Sequence, residues 1–242
     1  MFGIKYDSWN DKMPWAEYID WCRLWIKEIK RTLKPDGRFA INVLIDSCDR
    51  DNSRDWRSPQ VEFYNLLKSE GLNIMGQAFW ADTTKSAGLT SWLNVQKLYF
   101  WNPYEVILVG WNESQTRNTS GVVTASKKDW HHATRGIWKI HPETKGLTQA
   151  NFPVELPKLC IELLTFQDDL VLDPFMGSGT TAVAAKQTNR HYIGFEISKE
   201  YSEIARARVA GVQPGERKDL LKKILGIKKK KGPTNTVEKY ME

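Results

Sequence analysis

The chain has 242 residues, 41% hydrophobic and 26% charged, which excludes wholesale disorder and fits one or two ordinary domains. It is long enough to bury about 70% of its extended surface without disulfides or a structural metal. Cys22, Cys48 and Cys160 are odd in number, scattered and without a CxxC pair, so a reducing, cytoplasmic setting is expected. No apolar run reaches the roughly 18 residues of a membrane span, and the opening MFGIKYDSWND is no signal peptide. The net charge of +6 suits a polyanionic partner, although lysines 222, 223 and 228 to 231 account for most of the excess.

Trp15, Tyr18, Ile19, Cys22, Trp25, Ile26, Ile29 and Leu33 recur at three- and four-residue steps, so a helix is predicted over 14–33, with Pro14 in its first turn. Lys34-Pro35-Asp36-Gly37 is a turn. Residues 39–45 (FAINVLI) read as a buried strand of the near-continuous apolar kind that parallel sheets use. A helix over 60–69, closed by Gly71, and a strand over 72–80 follow. Residues 81–104 are polar and long for a plain connection; 105–109 (EVILV) is a short strand. Periodicity is lost again over 111–150, which carries Arg117, Lys127, Lys128, His131, His132, Arg135, Lys139 and Lys145. Order resumes with a helix over 154–165, a strand over 170–172, a glycine-rich turn, a helix over 180–188, a strand over 191–195 and a helix over 199–209. A short helix is expected over 218–225, then a solvated lysine-rich tail. No internal repeat is visible, and the alternation of helix and strand predicts one α/β domain with a polar insert.

The chemistry concentrates at Asp173-Pro174-Phe175-Met176-Gly177-Ser178-Gly179-Thr180-Thr181. A buried strand runs into a turn whose glycines let backbone approach a ligand, and a helix of small residues packs behind it. Asp173 stands at the carboxyl end of the strand, where open α/β sheets bind ligands. The next strand ends in Glu196, an acid about 20 residues past the glycine turn and suited to a ribose diol. A phosphate-binding loop would need a lysine before Thr180, and a dinucleotide fingerprint a third glycine near Ala182. An acid before the turn would repel a phosphate. It suits a cationic, donor-rich ligand, and S-adenosylmethionine, with its sulfonium, ammonium and diol, is the expected cofactor.

DPFMGSGTT followed by YIGFEISKEYSEIARARV closely resembles the cofactor motifs of DNA amino-methyltransferases, which methylate adenine N6 or cytosine N4. The resemblance spans most of the chain. Residues 15–45 resemble the segment after the family's catalytic motif, EVILV its late catalytic-half strand, and 151–157 (NFPVELP) the helix that walls the methionine end. The motif order resembles that of the circularly permuted β group. It implies a Rossmann-like fold, a mostly parallel sheet with helices on both faces. It further implies a catalytic half over 1–110, a target-recognition insert over 111–150, a cofactor half over 151–211 and a basic tail over 212–242. The cofactor residues it implies are Asp173, Pro174, Phe175, Gly177, Gly179, Thr180, Thr181 and Glu196. Thr180 and Thr181 would donate near the methionine carboxylate. The implied activity is methylation of an exocyclic amine in duplex DNA, in a restriction–modification setting.

The family's catalytic motif is Asp, Asn or Ser, then Pro-Pro, then an aromatic that stacks on the extruded base. It belongs just before Gly3, where only Met1 and Phe2 stand, Phe2 being either its last aromatic or a spacer. The catalytic residues are therefore expected upstream, with Asp7 a weak candidate facing the cleft beside Trp9. Asn102-Pro103-Tyr104 lacks the second proline. The alternative is a non-catalytic or truncated subunit that binds cofactor or DNA and needs a complementing subunit, a second copy or upstream residues. Ser91 and Trp92 are expected at the DNA, and Lys127, Lys128 and Arg135 on its phosphates, which position without specifying sequence. His131-His132 reads as a polar loop pair, not a metal site. Eleven tryptophans, among them Trp80, Trp92, Trp101, Trp111, Trp130 and Trp138, serve either as core anchors or as stacking surfaces.

Overall fold

The computed structural model describes residues 13–48, 56–81, 104–143 and 152–211. Helix α1 (Trp15–Thr32) presents Cys22 and Ile26, both fully buried, and begins after Pro14. Its last carbonyls are taken by a remote side chain: Asn112 Nδ2 donates to Leu33 O at 3.0 Å and to Lys30 O at 3.3 Å. The turn at Lys34–Gly37 feeds strand β1 (Arg38–Leu44). Two short strands, β2 (Ser47–Cys48) and β3 (Trp56–Arg57), pair with each other, and α2 (Pro59–Ser69) starts on its proline. Strand β4 (Asn73–Ala81) precedes β5 (Tyr104–Trp111).

These strands form a four-stranded sheet in the order β1-β5-β4-β6, where β6 is Ile137–Lys139. Both neighbours of β5 run antiparallel to it, and only β6 lies parallel to β4. The expectation of a continuously buried parallel strand at 39–45 is corrected here. β1 is an antiparallel strand with Ala40 and Asn42 exposed, so its apolar run overstates its burial. The central strand is β5, whose Val106, Ile107 and Leu108 are buried on both faces. On one face Val106 and Leu108 join Cys22, Ile26, Phe39, Phe63, Leu66 and Leu67 beneath α1 and α2. On the other, Ile107 joins Ala78, Trp80, Trp138, Ile140 and Leu156.

Leu156 belongs to α4 (Glu155–Leu164), which spans two cores. Further along, Ile161 packs on Ala184 and Ala185 of α5 (Thr180–Gln187), under Val171 of β7 (Leu170–Asp173). Strand β7 pairs in parallel with β8 (His191–Gly194), and α6 (Lys199–Val209) follows, capped by Ser198. The α/β class and the helices on both faces are as expected; among the described strands of the four-stranded sheet β1, β4 and β6 share one direction and β5 is reversed between β1 and β4.

The polar insert is not loose. It contains α3 (Lys127–Ala133) and β6, neither of which shows an apolar period. Arg117 sits between two acids of other segments, 3.0 Å from Asp169 and 3.6 Å from Asp36, with its guanidinium over the Phe166 ring. Arg190 is buried and donates to Thr124 in the insert and to Thr165 behind α4. The insert is therefore fastened to the rest of the domain at Arg117 and Thr124.

Candidate cofactor site and nucleic-acid face

The paired strands β7 and β8 end together at the glycine turn. Phe195 N donates to Asp173 O at 3.0 Å and Met176 N to Phe195 O at 2.9 Å, which carries the ladder past the strand ends. The Asp173 carboxylate folds back to accept from Phe175 N at 2.9 Å. The Glu196 carboxylate spans the turn: one oxygen accepts from Gly177 N at 2.8 Å, the other from Ser198 N at 2.8 Å. Each oxygen retains a second lone pair for a ligand donor. Glu196 thus shapes the loop.

Gly177 and Gly179 both take left-handed backbone, with φ of 52° and 82°. Gly177 opens on empty space, its nearest atom for a Cβ being Phe175 O at 3.9 Å. Gly179 caps α5 and lies against Ala205 of α6. Burial pushes the Asp173 carboxyl above its usual range, opposed by hydrogen bonds from Thr181 and the Phe175 amide, and the Glu196 charge adds to the rise. Two acids facing one turn, one of them short of counter-charge, make a site for a cation that also donates hydrogen bonds. Such a site rejects a phosphate.

The predicted cofactor residues converge on this turn. Pro174 is half-buried within it. Phe175 is 53% exposed and packs edge-on to Trp25 of α1, with ring centroids 5.4 Å apart, and at 5.9 Å from Trp21. Thr180 is buried and its hydroxyl accepts from Arg208, so it faces α6. Thr181 faces Asp173. Sequence reasoning missed Arg208, which lies 30 residues from Ser178 with no local pattern to announce it.

In the insert, Lys127, Lys128 and Arg135 are all exposed, on or just beyond α3, together with His131 and His132. Ser126 caps the helix by accepting from Asp129 N. The histidines lie on a helix, not a loop, and among the described residues no group of His, Cys, Asp and Glu is placed to hold a metal. Trp130, 40% exposed, stands among these cations. Trp80 and Trp138 are core anchors. Each is nearly inaccessible, and their indoles donate to Ile140 O and Ala133 O. Phe2, Gly3, Asp7, Trp9, Ser91, Trp92, Trp101 and the lysine tail lie outside the described residues.

A parallel strand pair, a glycine turn capping a helix and two facing acids define an α/β domain built for a nucleoside cofactor at its strand ends. The profile of the N6/N4 DNA methylase family matches residues 2–207, and the chain belongs to that family. Its methyl donor is S-adenosylmethionine, and Asp173, Gly177 and Glu196 fit the charge and space that this cofactor requires. Among curated relatives it is 26% identical to the Type II methyltransferase M.HinfI of Haemophilus influenzae over 241 residues, covering 96% of this chain but 62% of that enzyme. It is 27% identical to M2.DpnII of Streptococcus pneumoniae over 220 residues, 86% of this chain and 73% of that one. A crystal structure from Thermus thermophilus, of a protein assigned as a DNA modification methylase, superposes with a TM-score of 0.67 at 25% identity, covering 83% of this chain and 82% of that one. The cytosine-N4-specific PvuII DNA methyltransferase shares the fold, with a TM-score of 0.65 at 20% identity over 93% of this chain and 83% of that one. Among the described residues no helix is long and apolar enough to cross a membrane.

Proposed function

We propose that this chain methylates an exocyclic amine, adenine N6 or cytosine N4, in duplex DNA, in the cytoplasm and as part of restriction–modification. The observation that carries this reading is the glycine turn spanned by Glu196 and closed by the Asp173 carboxylate. When bound, S-adenosylmethionine supplies an electrophilic methyl group on a sulfonium. The chain's own residues bind and orient it. Glu196 accepts from the ribose hydroxyls through its free lone pairs, Asp173 offers negative charge towards the cationic end, and Gly177 leaves room for the nucleoside. Residues 111–150 serve as the recognition insert, between a catalytic half over 1–110 and a cofactor half over 151–211. Lys127, Lys128 and Arg135 neutralise phosphates and so hold the duplex in register.

The test is titration of S-adenosylmethionine into the purified chain, followed by transfer of labelled methyl to duplex DNA. Micromolar binding, lost in Asp173→Ala, is expected. A folded chain that binds no S-adenosylmethionine would sink the reading. Binding without transfer to duplex DNA would leave the cofactor reading standing and overturn methylation by this chain.

A further inference from the structure

Helix α6 docks on the glycine turn through two residues three positions apart, Ala205 and Arg208. Ala205 lies against Gly179 and leaves a side chain no room. Arg208 Nη1 donates to Ser178 O at 3.0 Å, Ser178 Oγ at 2.9 Å and Thr180 Oγ1 at 2.7 Å. One nitrogen thus fixes the backbone and both side chains that flank Gly179. The guanidinium is largely withdrawn from water, which disfavours its charge, and Glu143 at the end of the insert is close enough to favour it.

Arg208 lies in the last turn of α6, where that helix's dipole favours a cation, but the same side chain reaches the start of α5. A cation at the N-terminal end of α5 opposes the helix dipole, which favours negative charge there. The three acceptors are neutral, so the charge of Arg208 is not cancelled by what it bonds. Across the turn stand the two acids, Asp173 and Glu196. The turn is therefore polarised, with two acids on the β7–β8 side and the Arg208 charge, offset in part by Glu143, on the α5–α6 side. An amino-acid group on a nucleoside, ammonium and carboxylate together, has the matching asymmetry.

We propose that Arg208 is a positioning residue for the cofactor: through Ser178 and Thr180 it sets the shape and positive potential of the turn that receives the amino-acid carboxylate. This rests on the cofactor reading above. It predicts that losing Arg208 weakens ligands with an amino-acid end and spares ligands without one.

S-Adenosylhomocysteine and 5′-methylthioadenosine both carry a neutral thioether on the same nucleoside and differ at the amino-acid end. Their dissociation constants are measured by calorimetry on wild type, Arg208→Gln and Arg208→Lys, with thermal midpoints alongside. In Arg208→Gln, S-adenosylhomocysteine is expected to bind about tenfold more weakly, with methylthioadenosine within about twofold of wild type. Arg208→Lys, which keeps the charge, recovers most of the loss. Equal weakening of both ligands would reduce Arg208 to a brace and overturn the proposal, as would no weakening of either. If Arg208→Gln does not fold, Thr180→Val, which removes a single acceptor, is read by the same ratio. A wild-type chain that binds neither ligand overturns the cofactor reading itself, an outcome distinct from any variant effect.

Discussion

Gly177→Ala and Gly179→Ala should fail in different ways, because one turn carries two constraints. At Gly179 a Cβ would lie 2.7 Å from Ala205 Cβ and 2.9 Å from Ala205 Cα, at a φ of +82°. Left-handed strain of about 1 kcal/mol and overpacking of about 1–3 kcal/mol together give about 2–4 kcal/mol. At about 2–4 °C per kcal/mol for a chain of this size, the midpoint should fall by about 4–16 °C. At Gly177 a Cβ meets only Phe175 O at 3.9 Å, so only the strain remains, about 1 kcal/mol or about 2–4 °C. Its methyl group, however, enters the space left for the nucleoside beside Glu196, and S-adenosylmethionine should bind at least about tenfold more weakly. Thermal melts and calorimetric titration read the two effects separately. The reasoning is refuted if Gly179→Ala melts no lower than Gly177→Ala, or if Gly177→Ala keeps wild-type affinity.

Asp173 gives a pH signature. Its folded carboxyl holds the proton above the usual aspartate range, so the penalty for burying its charge is absent below the unfolded value and complete above the folded one. Stability of the ligand-free chain should therefore decline as pH rises through that window, and Asp173→Asn should flatten the decline; parallel urea midpoints for both proteins would contradict this. Arg117→Met leaves Asp36 and Asp169 without their shared cation and should cost about 3–5 kcal/mol, measured by urea unfolding. Removing Lys127, Lys128 and Arg135 one at a time should each lower the salt slope of duplex-DNA binding by about 0.9, measured by fluorescence anisotropy; an unchanged slope would take that residue off the phosphates. Burial pushes the Cys22 and Cys160 thiols up to about 11 and about 12, so alkylation at pH 8, followed by mass spectrometry, should label both slowly until the chain is denatured.

Helices α1, α2, α4, α5 and α6 were legible because each carries its own stripe or stop signal, as with Trp15 to Leu33 in steps of three and four. The pairing of β1 was not. FAINVLI is apolar enough for either pairing, and the antiparallel choice is made by β5, more than sixty residues away. The insert escaped for a different reason. KKDWHHA exposes nearly all of itself and buries Ala133, so no period exists to be found; only the Ser126 cap marks its start. The turn's acids and glycines could be read because the motif is contiguous. Its arginine could not, because Arg208, Arg117 and Arg190 are placed by packing between segments distant in sequence.

Strand β6 joins the sheet beside β4 and drives Trp138 into the same cluster as Trp80. A segment bolted to the scaffold in this way cannot be exchanged as a cassette over 111–150. A chimera cut inside 133–140 would empty a tryptophan-sized hole in the shared core and strand the Trp80 indole without the Ile140 carbonyl. Cuts that keep the chain through Thr124 and begin again at Ala133 leave the fastenings intact. The exposed helix from Lys127 to His132 is the part that can vary in sequence at little cost, and the strand that follows it stays fixed.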